Sequence, residues 1–144
     1  MPSIFDKLNL KQQREILVVN APSSFESEVA ALKGVTVLRD PGKAKAVHFA
    51  LAFATKQAEV DALSRILTVK AAGDALLWFA YPKGTSRQYK CEFNRDTGWN
   101  AMRSAGFDTV RQVAIDEDWS ALRFRRMEFI KTSEGKSPGK PVAR

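Results

Sequence analysis

Eight residues with hydroxyl, amide, carboxylate or ammonium groups stand at or just after the apolar runs of this chain: Asn20, Asp40, Thr55, Lys56, Tyr81, Lys83, Thr85 and Ser86. Those runs read as β-strands, and in open parallel sheets ligands bind beyond the carboxyl ends of the strands. Two lysines among hydroxyls are the chemistry of a small polar or anionic ligand. The set contains no nucleophile with a base at motif spacing, so it predicts binding, and no catalytic residue is assigned.

The other reactive side chains are few. His48 is the single histidine and sits in a strand-like run among alanines, which predicts a hydrogen-bonded core residue. Cys91 is the single cysteine. One of each cannot supply the three or four soft ligands of a zinc site, and no G-x-S-x-G elbow occurs. Lys83, Arg87, Lys90 and Arg95 surround Cys91, and nearby positive charge lowers a thiol's pKa. That same loop interleaves Tyr89 and Phe93 with its basic residues, and Arg123, Arg125 and Arg126 form a second basic cluster. Aromatic and basic residues together can hold single-stranded nucleic acid, although no recognised binding module accompanies them.

The elements that would position these groups begin at residue 15. Residues 15–20 contain four consecutive apolar residues, Ile16 to Val19, the pattern of a strand covered on both faces. Residues 23–32 follow as a helix, with Phe25, Val29 and Leu32 on one face. Ser23 and Glu26 match a capping box, S-x-x-E. In many nucleotide-binding folds the turn between such a strand and helix is glycine-rich. Here it is Asn20, Ala21, Pro22, Ser23 and Ser24. Glu26 and Glu28 already supply the negative charge that a helix start favours, so the turn predicts a self-capped joint with no anion site.

Residues 35–39 form a short second strand, and Asp40, Pro41 and Gly42 are turn chemistry. Residues 46–53 form a third strand, bulky at odd positions and small at even ones, which suits close approach of a helix on the small side. A helix capped by Thr55 runs to about residue 72, with Val60, Leu63, Ile66 and Leu67 as its stripe and Gly73 at its end. Residues 75–81 are a fourth two-sided apolar strand. A helix starting at Asn94 or Asp96 carries Trp99 and Met102 and stops at Gly106, with Phe107 as the apolar contact beyond it. Residues 109–115 and 119–126 are two strands joined by Asp116, Glu117 and Asp118. That link is too short for a crossover, so they pair antiparallel. Trp78, Trp99 and Trp119 read as core, with Trp119 also a candidate cover for a sheet edge or for a second copy of the chain.

The order β-α-β-β-α-β-α-β-β predicts an α/β chain: one Rossmann-like domain over 1–130, with a mostly parallel sheet of about six strands and helices on both faces. The strand order expected is 2-1-3-4-6-5, with the last strand antiparallel. A length of 144 residues suits one domain. Residues 131–144 carry Lys131, Lys136, Lys140 and Arg144 against Glu134, so +3 of the net +7 sits there. With two prolines and two glycines in that stretch, a disordered basic tail is expected. No run approaches the ~20 apolar residues of a membrane span, and the first residues lack a signal peptide's apolar region. With one cysteine, a cytoplasmic location is expected.

The ending, residues 104–124 (SAGFDTVRQVAIDEDWSALRF), resembles the C-terminal half of class I methyltransferases, whose last strand inserts antiparallel into a parallel sheet. ALLWFAYPKG, residues 75–84, looks like their strand after the central helix. More narrowly, ILVVNAP, LWFAYPK and DWSALRF are similar to a small bacterial family of unknown function with a degenerate Rossmann fold, over roughly residues 14–126. The resemblance implies a glycine-rich loop that packs against S-adenosylmethionine, and an acidic residue that binds its ribose, near Asp40. The chain departs at the loop, where every residue carries a Cβ that blocks close backbone approach and Pro22 lacks an amide donor. The resulting expectation is a non-catalytic protein with no cofactor, binding a protein partner or a small polar or anionic ligand. The alternatives are a divergent S-adenosylmethionine-dependent methyltransferase and a nucleic-acid-binding accessory protein.

Overall fold

The computed structural model describes residues 4–94 and 96–130; the basic tail expected over 131–144 lies outside the described residues. The elements in chain order are α1 (Ile4–Lys7), β1 (Glu15–Val19), α2 (Glu26–Ala30), β2 (Thr36–Leu38), β3 (Val47–Phe53), α3 (Gln57–Lys70), β4 (Ala71–Pro82), α4 (Asn100–Ser104), β5 (Phe107–Ala114) and β6 (Trp119–Arg126). The six strands form one sheet in the order β2-β1-β3-β4-β6-β5. β1 pairs parallel with β2 and β3, and β3 with β4, whereas β6 runs antiparallel to both β4 and β5. The expected order and the antiparallel last strand are therefore those of the molecule.

The alternation in β3 sorts the core into two layers. Its small side, Ala50 and Ala52, packs with Val60, Leu63 and Leu67 of α3 and with Trp99 and Met102 around α4. Its bulky side, Phe49, Leu51 and Phe53, packs with Ile4, Phe5 and Leu8 at the N-terminus and with Phe25 and Val29. Alanines let α3 approach the sheet, while on the other face phenylalanines reach out to shorter helices.

Three local differences have physical causes. The helix after β1 is shorter than its periodicity suggests: Ser23–Phe25 form a 3-10 turn, and α2 has only five residues. No side chain caps either segment, so the expected capping box is not made. Glu26 instead turns to Arg39, whose guanidinium donates to both carboxylate oxygens at 2.7 and 2.8 Å. α4 begins only at Asn100 because Asn94 Oδ1 accepts the Asp96 and Thr97 amides, a side-chain turn that holds the chain out of helix. Gly98 follows at φ +94°, a conformation that L side chains rarely adopt. Finally, α3 passes straight into β4, which starts at Ala71, four residues earlier than expected.

α1 has no counterpart in the sequence reading. It is a single turn, yet Phe5 is 2% exposed and stacks against Phe25 and Phe49 at ring-centroid distances of 5.6 and 6.3 Å. The carbonyl of Leu8 accepts the buried indole N–H of Trp78 at 2.9 Å.

Candidate functional site

The carboxyl ends of β1 and β3 border a cleft of about 380 Å³. On the β1 side, Asn20 enters the left-handed region at φ +60° and turns the chain toward Pro22 and Ser23. On the β3 side stand Phe53, Thr55 and Glu59. Tyr89 and Trp119 close one wall, their rings 4.9 Å apart, with Trp119 also edge-on to Phe53 at 5.1 Å. The lining is thus aromatic and amide-bearing, and Glu59 is its one charged residue.

Glu59 also explains why α3 offers no anion site. Its Oε1 accepts the amides of Thr55 and Lys56 at 2.9 and 3.0 Å. Glu92 Oε1 accepts the next amide, Gln57, at 2.9 Å, and its own N–H donates to the Thr55 carbonyl. Two carboxylates from this chain therefore fill the positive end of the helix.

The loop after β4 is a strap across the sheet edge. The Lys83 amide donates to the Asp118 carbonyl at 2.8 Å, and the Ser86 hydroxyl donates to Asp118 Oδ1 at 2.8 Å. Ser86 Oγ in turn accepts the Tyr89 amide at 3.2 Å, which sets Tyr89 on Trp119. Phe93 goes to the opposite face and packs on Tyr81 and Trp99. The two loop aromatics pack on the two core layers, Tyr89 half-buried and Phe93 6% exposed. Arg95 lies outside the described residues.

The eight sequence candidates divide. Asn20 and Thr55 line the β1–β3 cleft. Tyr81 and Lys83 line a second one of about 290 Å³ with Gly84, Asn94, Gln112 and Ser120, where Gln112 Nε2 donates to the Tyr81 hydroxyl at 2.8 Å. Asp40 Oδ1 accepts the Gly42 amide at 2.8 Å and caps a 3-10 turn. Lys56 is exposed at the start of α3, Thr85 is exposed in the strap, and Ser86 is tied to Asp118. Glu59, Tyr89 and Trp119 complete the first cleft and were not among the candidates. A glutamate at the third helical position was the available signal for Glu59.

Several expectations are corrected here. The turn after β1 is closed, but by a 3-10 turn and the Glu26–Arg39 pair rather than by Ser23 and Glu26 capping each other. Thr55 does not cap α3 with its side chain; Lys56 takes the cap position. His48 is exposed, because a register shift between Val47 and Phe49 lifts it out of the ladder. Burial pushes the Cys91 thiol above its ordinary value, against the lowering expected from nearby cations. Trp119 is 4% exposed and belongs to the core, as its type suggested. Arg125 is paired with Asp74 at 2.6 and 2.8 Å, and Arg126 lies over the Phe107 ring while donating to the Gly73 and Ala71 carbonyls. Among the described residues no group of histidine, cysteine or carboxylate side chains could hold a metal ion, and no helix is long and apolar enough to cross a membrane.

No protein-family model matches the chain, and no curated protein matches it in sequence. Its fold is matched widely. A SAM-dependent methyltransferase from Aquifex aeolicus superposes with a TM-score of 0.55 at 15% identity, over 85% of this chain and 87% of that one. The [4+2]-cyclase SpnF gives 0.56 at 10% identity, over 85% and 79%. LepI in complex with SAM gives 0.53 at 9% identity, over 85% of this chain but 39% of LepI, so the chain spans about two-fifths of that protein. At these identities the likeness establishes a class I methyltransferase-like fold and nothing finer.

The residues after β1 do not fit S-adenosylmethionine in the manner the resemblance implies. Pro22 has no N–H to offer, and Phe25 is drawn into the core at 3% exposure. The Glu26–Arg39 pair bridges the start of α2 and the end of β2, and Asp40 Oδ1 accepts the Gly42 amide of its own turn.

Proposed function

We propose that this methyltransferase-like fold serves as a small-molecule recognition protein without methyl transfer, and that the cleft between β1 and β3 takes a flat ligand that is neutral or cationic. The single observation that carries this reading is the lining, in which the half-buried Tyr89 ring, backed by the buried Trp119 and Phe53, stands beside the lone carboxylate of Glu59. Aromatic faces attract cations and flat rings, and a carboxylate among them disfavours anions. Neither Lys56 nor Lys83 lines this cleft, and Lys83 stands instead at the second one, so the lysines lend no support to an anionic ligand here. A divergent methyltransferase is the competing reading, and the fold of the neighbours favours it. That SpnF, a [4+2]-cyclase by name, shares this fold is consistent with the architecture hosting other chemistry.

Thermal unfolding of the full chain with paired probes tests the proposal. Tryptamine and indole-3-acetate share one ring and differ in charge. A ligand at ~100 times its dissociation constant stabilises the folded state by about 2.7 kcal/mol. Tryptamine is expected to raise the midpoint and indole-3-acetate to leave it unchanged. A clear rise with S-adenosylmethionine, or a rise with indole-3-acetate alone, overturns the reading.

A further inference from the structure

A different feature lies at the opposite end of the sheet. Two clefts of about 540 and 600 Å³ meet there, and both are lined by Gln12 and Gln13. They run along the amino ends of β1, β2, β3 and β4. At one end the lining carries Lys11, Arg14 and Lys33, and no carboxylate. At the other end it carries His48, Gly73 and Asp74, with Asp74 already held by Arg125. Just past Asp74, on the outer strands, Arg123 stands directly across from Arg111 in the β5–β6 register. The buried Arg123 Nε has no hydrogen-bond partner, and Arg111 is exposed. Like charges directly opposite each other destabilise a strand pair, so this pair is one that an anion would relieve. Burial, Arg125 and Arg111 lower the Arg123 pKa, and Asp74 offsets only part of this.

We propose that this amino-terminal edge is a nucleic-acid site, in which Lys11, Arg14 and Lys33 hold successive phosphates of a phosphodiester backbone and the groove continues past Gln12 and Gln13 toward Arg123. The polar, cationic lining favours a strand of polyanion over a membrane surface, since the exposed large apolar residues, Val69, Val110 and Met127, line neither cleft. Amide side chains suit sugar and phosphate oxygens: Gln13 Oε1 accepts the Lys11 amide at 2.9 Å, which leaves its NH2 group as a donor. Glu15 is exposed at the start of β1 and is a carboxylate the strand must pass. No phenylalanine, tyrosine or tryptophan lines either cleft, and the exposed His48 ring is the one aromatic group there, so mainly backbone contact with little base selection is expected. The site is independent of the cleft at the carboxyl edge.

The test is fluorescence anisotropy on the full chain with a labelled oligo-dT strand and, separately, a labelled duplex, each across a salt series. Three phosphate contacts predict a slope of log K against log salt of roughly −2 for a single strand and about −2.7 for a duplex. The variant Lys11→Gln/Arg14→Gln/Lys33→Gln is expected to lower affinity at least tenfold at low salt and flatten the slope. All three positions are exposed, so its melting midpoint should stay within a few degrees of the parent. A second variant, Lys136→Gln/Lys140→Gln/Arg144→Gln, is expected to retain the slope. Absence of binding by either probe overturns the proposal. So does binding lost in the second variant but kept in the first, and so does edge-dependent binding to phosphatidylserine vesicles with none to either oligonucleotide.

Discussion

The Arg39 guanidinium grips both oxygens of Glu26, at 2.7 and 2.8 Å, and so ties the first residue of α2 to the end of β2. These two places flank the region where the fold resemblance implies a cofactor's ribose. The hydrogen bonds from Arg39 hold the Glu26 carboxyl below its ordinary value of 4.5. A carboxyl with a folded pKa below its unfolded one stabilises the fold above the unfolded value, and that contribution is lost as pH falls through the folded value. Glu26→Gln should therefore lower the melting midpoint slightly at neutral pH and not at all in acid below the folded pKa. Because the pair is exposed, the difference should also shrink in 1 M salt, where the screening length is about 3 Å. Melting curves of both proteins over pH and salt check this.

The N-terminal turn is joined to the sheet by one buried bond, from Trp78 Nε1 to the Leu8 carbonyl. Trp78→Phe keeps an aromatic ring but leaves that carbonyl without a donor. An unsatisfied buried polar group costs about 1–3 kcal/mol, and that loss should appear as a lower denaturation midpoint in urea. Leu8→Ala removes a side chain with no exposed surface and should cost about 2–5 kcal/mol. Nearly unchanged stability in Leu8→Ala would show that α1 is not part of the folded core.

Gly98 is the glycine that the fold cannot replace. Its φ is +94°, and a Cβ there would sit 2.7 Å from Phe93 Cβ and 2.6 Å from Gln57 Oε1. Gln57 is held in place, because its Nε2 donates to the Gly98 carbonyl at 2.8 Å. Gly98→Ala combines a left-handed penalty of roughly 1–2 kcal/mol with overpacking of about 1–3 kcal/mol. Gly84→Ala meets nothing within 4 Å and has an unstrained backbone. It should be neutral or stabilise by up to about 1 kcal/mol. Chemical denaturation of the two variants side by side gives the contrast.

The strand order was legible because the links are short and the patterns long. Ile16 to Val19 and the ALLWFAY run are covered on both faces, and the four residues between β5 and β6 force a hairpin. What was not legible depended on partners far along the chain. Glu26 reads as a capping residue until Arg39, thirteen positions on, claims it. His48 reads as core until the bulge between Val47 and Phe49 turns it out. α1 is one turn long and has no periodicity to read, yet it covers Phe25 and Phe49. At the candidate site, Asn20 and Thr55 were visible as strand-end residues, whereas Tyr89 and Trp119 meet only because Ser86 and Asp118 draw the strap over the sheet.

Tyr89 and Trp119 do different work in the carboxyl-edge cleft, and substitution separates them. Trp119 is 4% exposed and lies edge-on to Phe53 at 5.1 Å, so Trp119→Ala should cost about 3–5 kcal/mol of stability. Tyr89 is half-buried and its ring packs on Trp119 at 4.9 Å. Tyr89→Ala should leave the fold intact and remove one wall of the cleft. If the cleft takes a flat cation, Tyr89→Ala should weaken tryptamine binding several-fold in a titration followed by tryptophan fluorescence, since a ring–cation contact is worth roughly 0.5–2 kcal/mol. Glu59→Gln should weaken the same binding through charge while keeping an acceptor oxygen for the Thr55 and Lys56 amides, which both donate to Oε1. Equal tryptamine affinity in the parent, Tyr89→Ala and Glu59→Gln would mean that the ligand sits elsewhere on the chain.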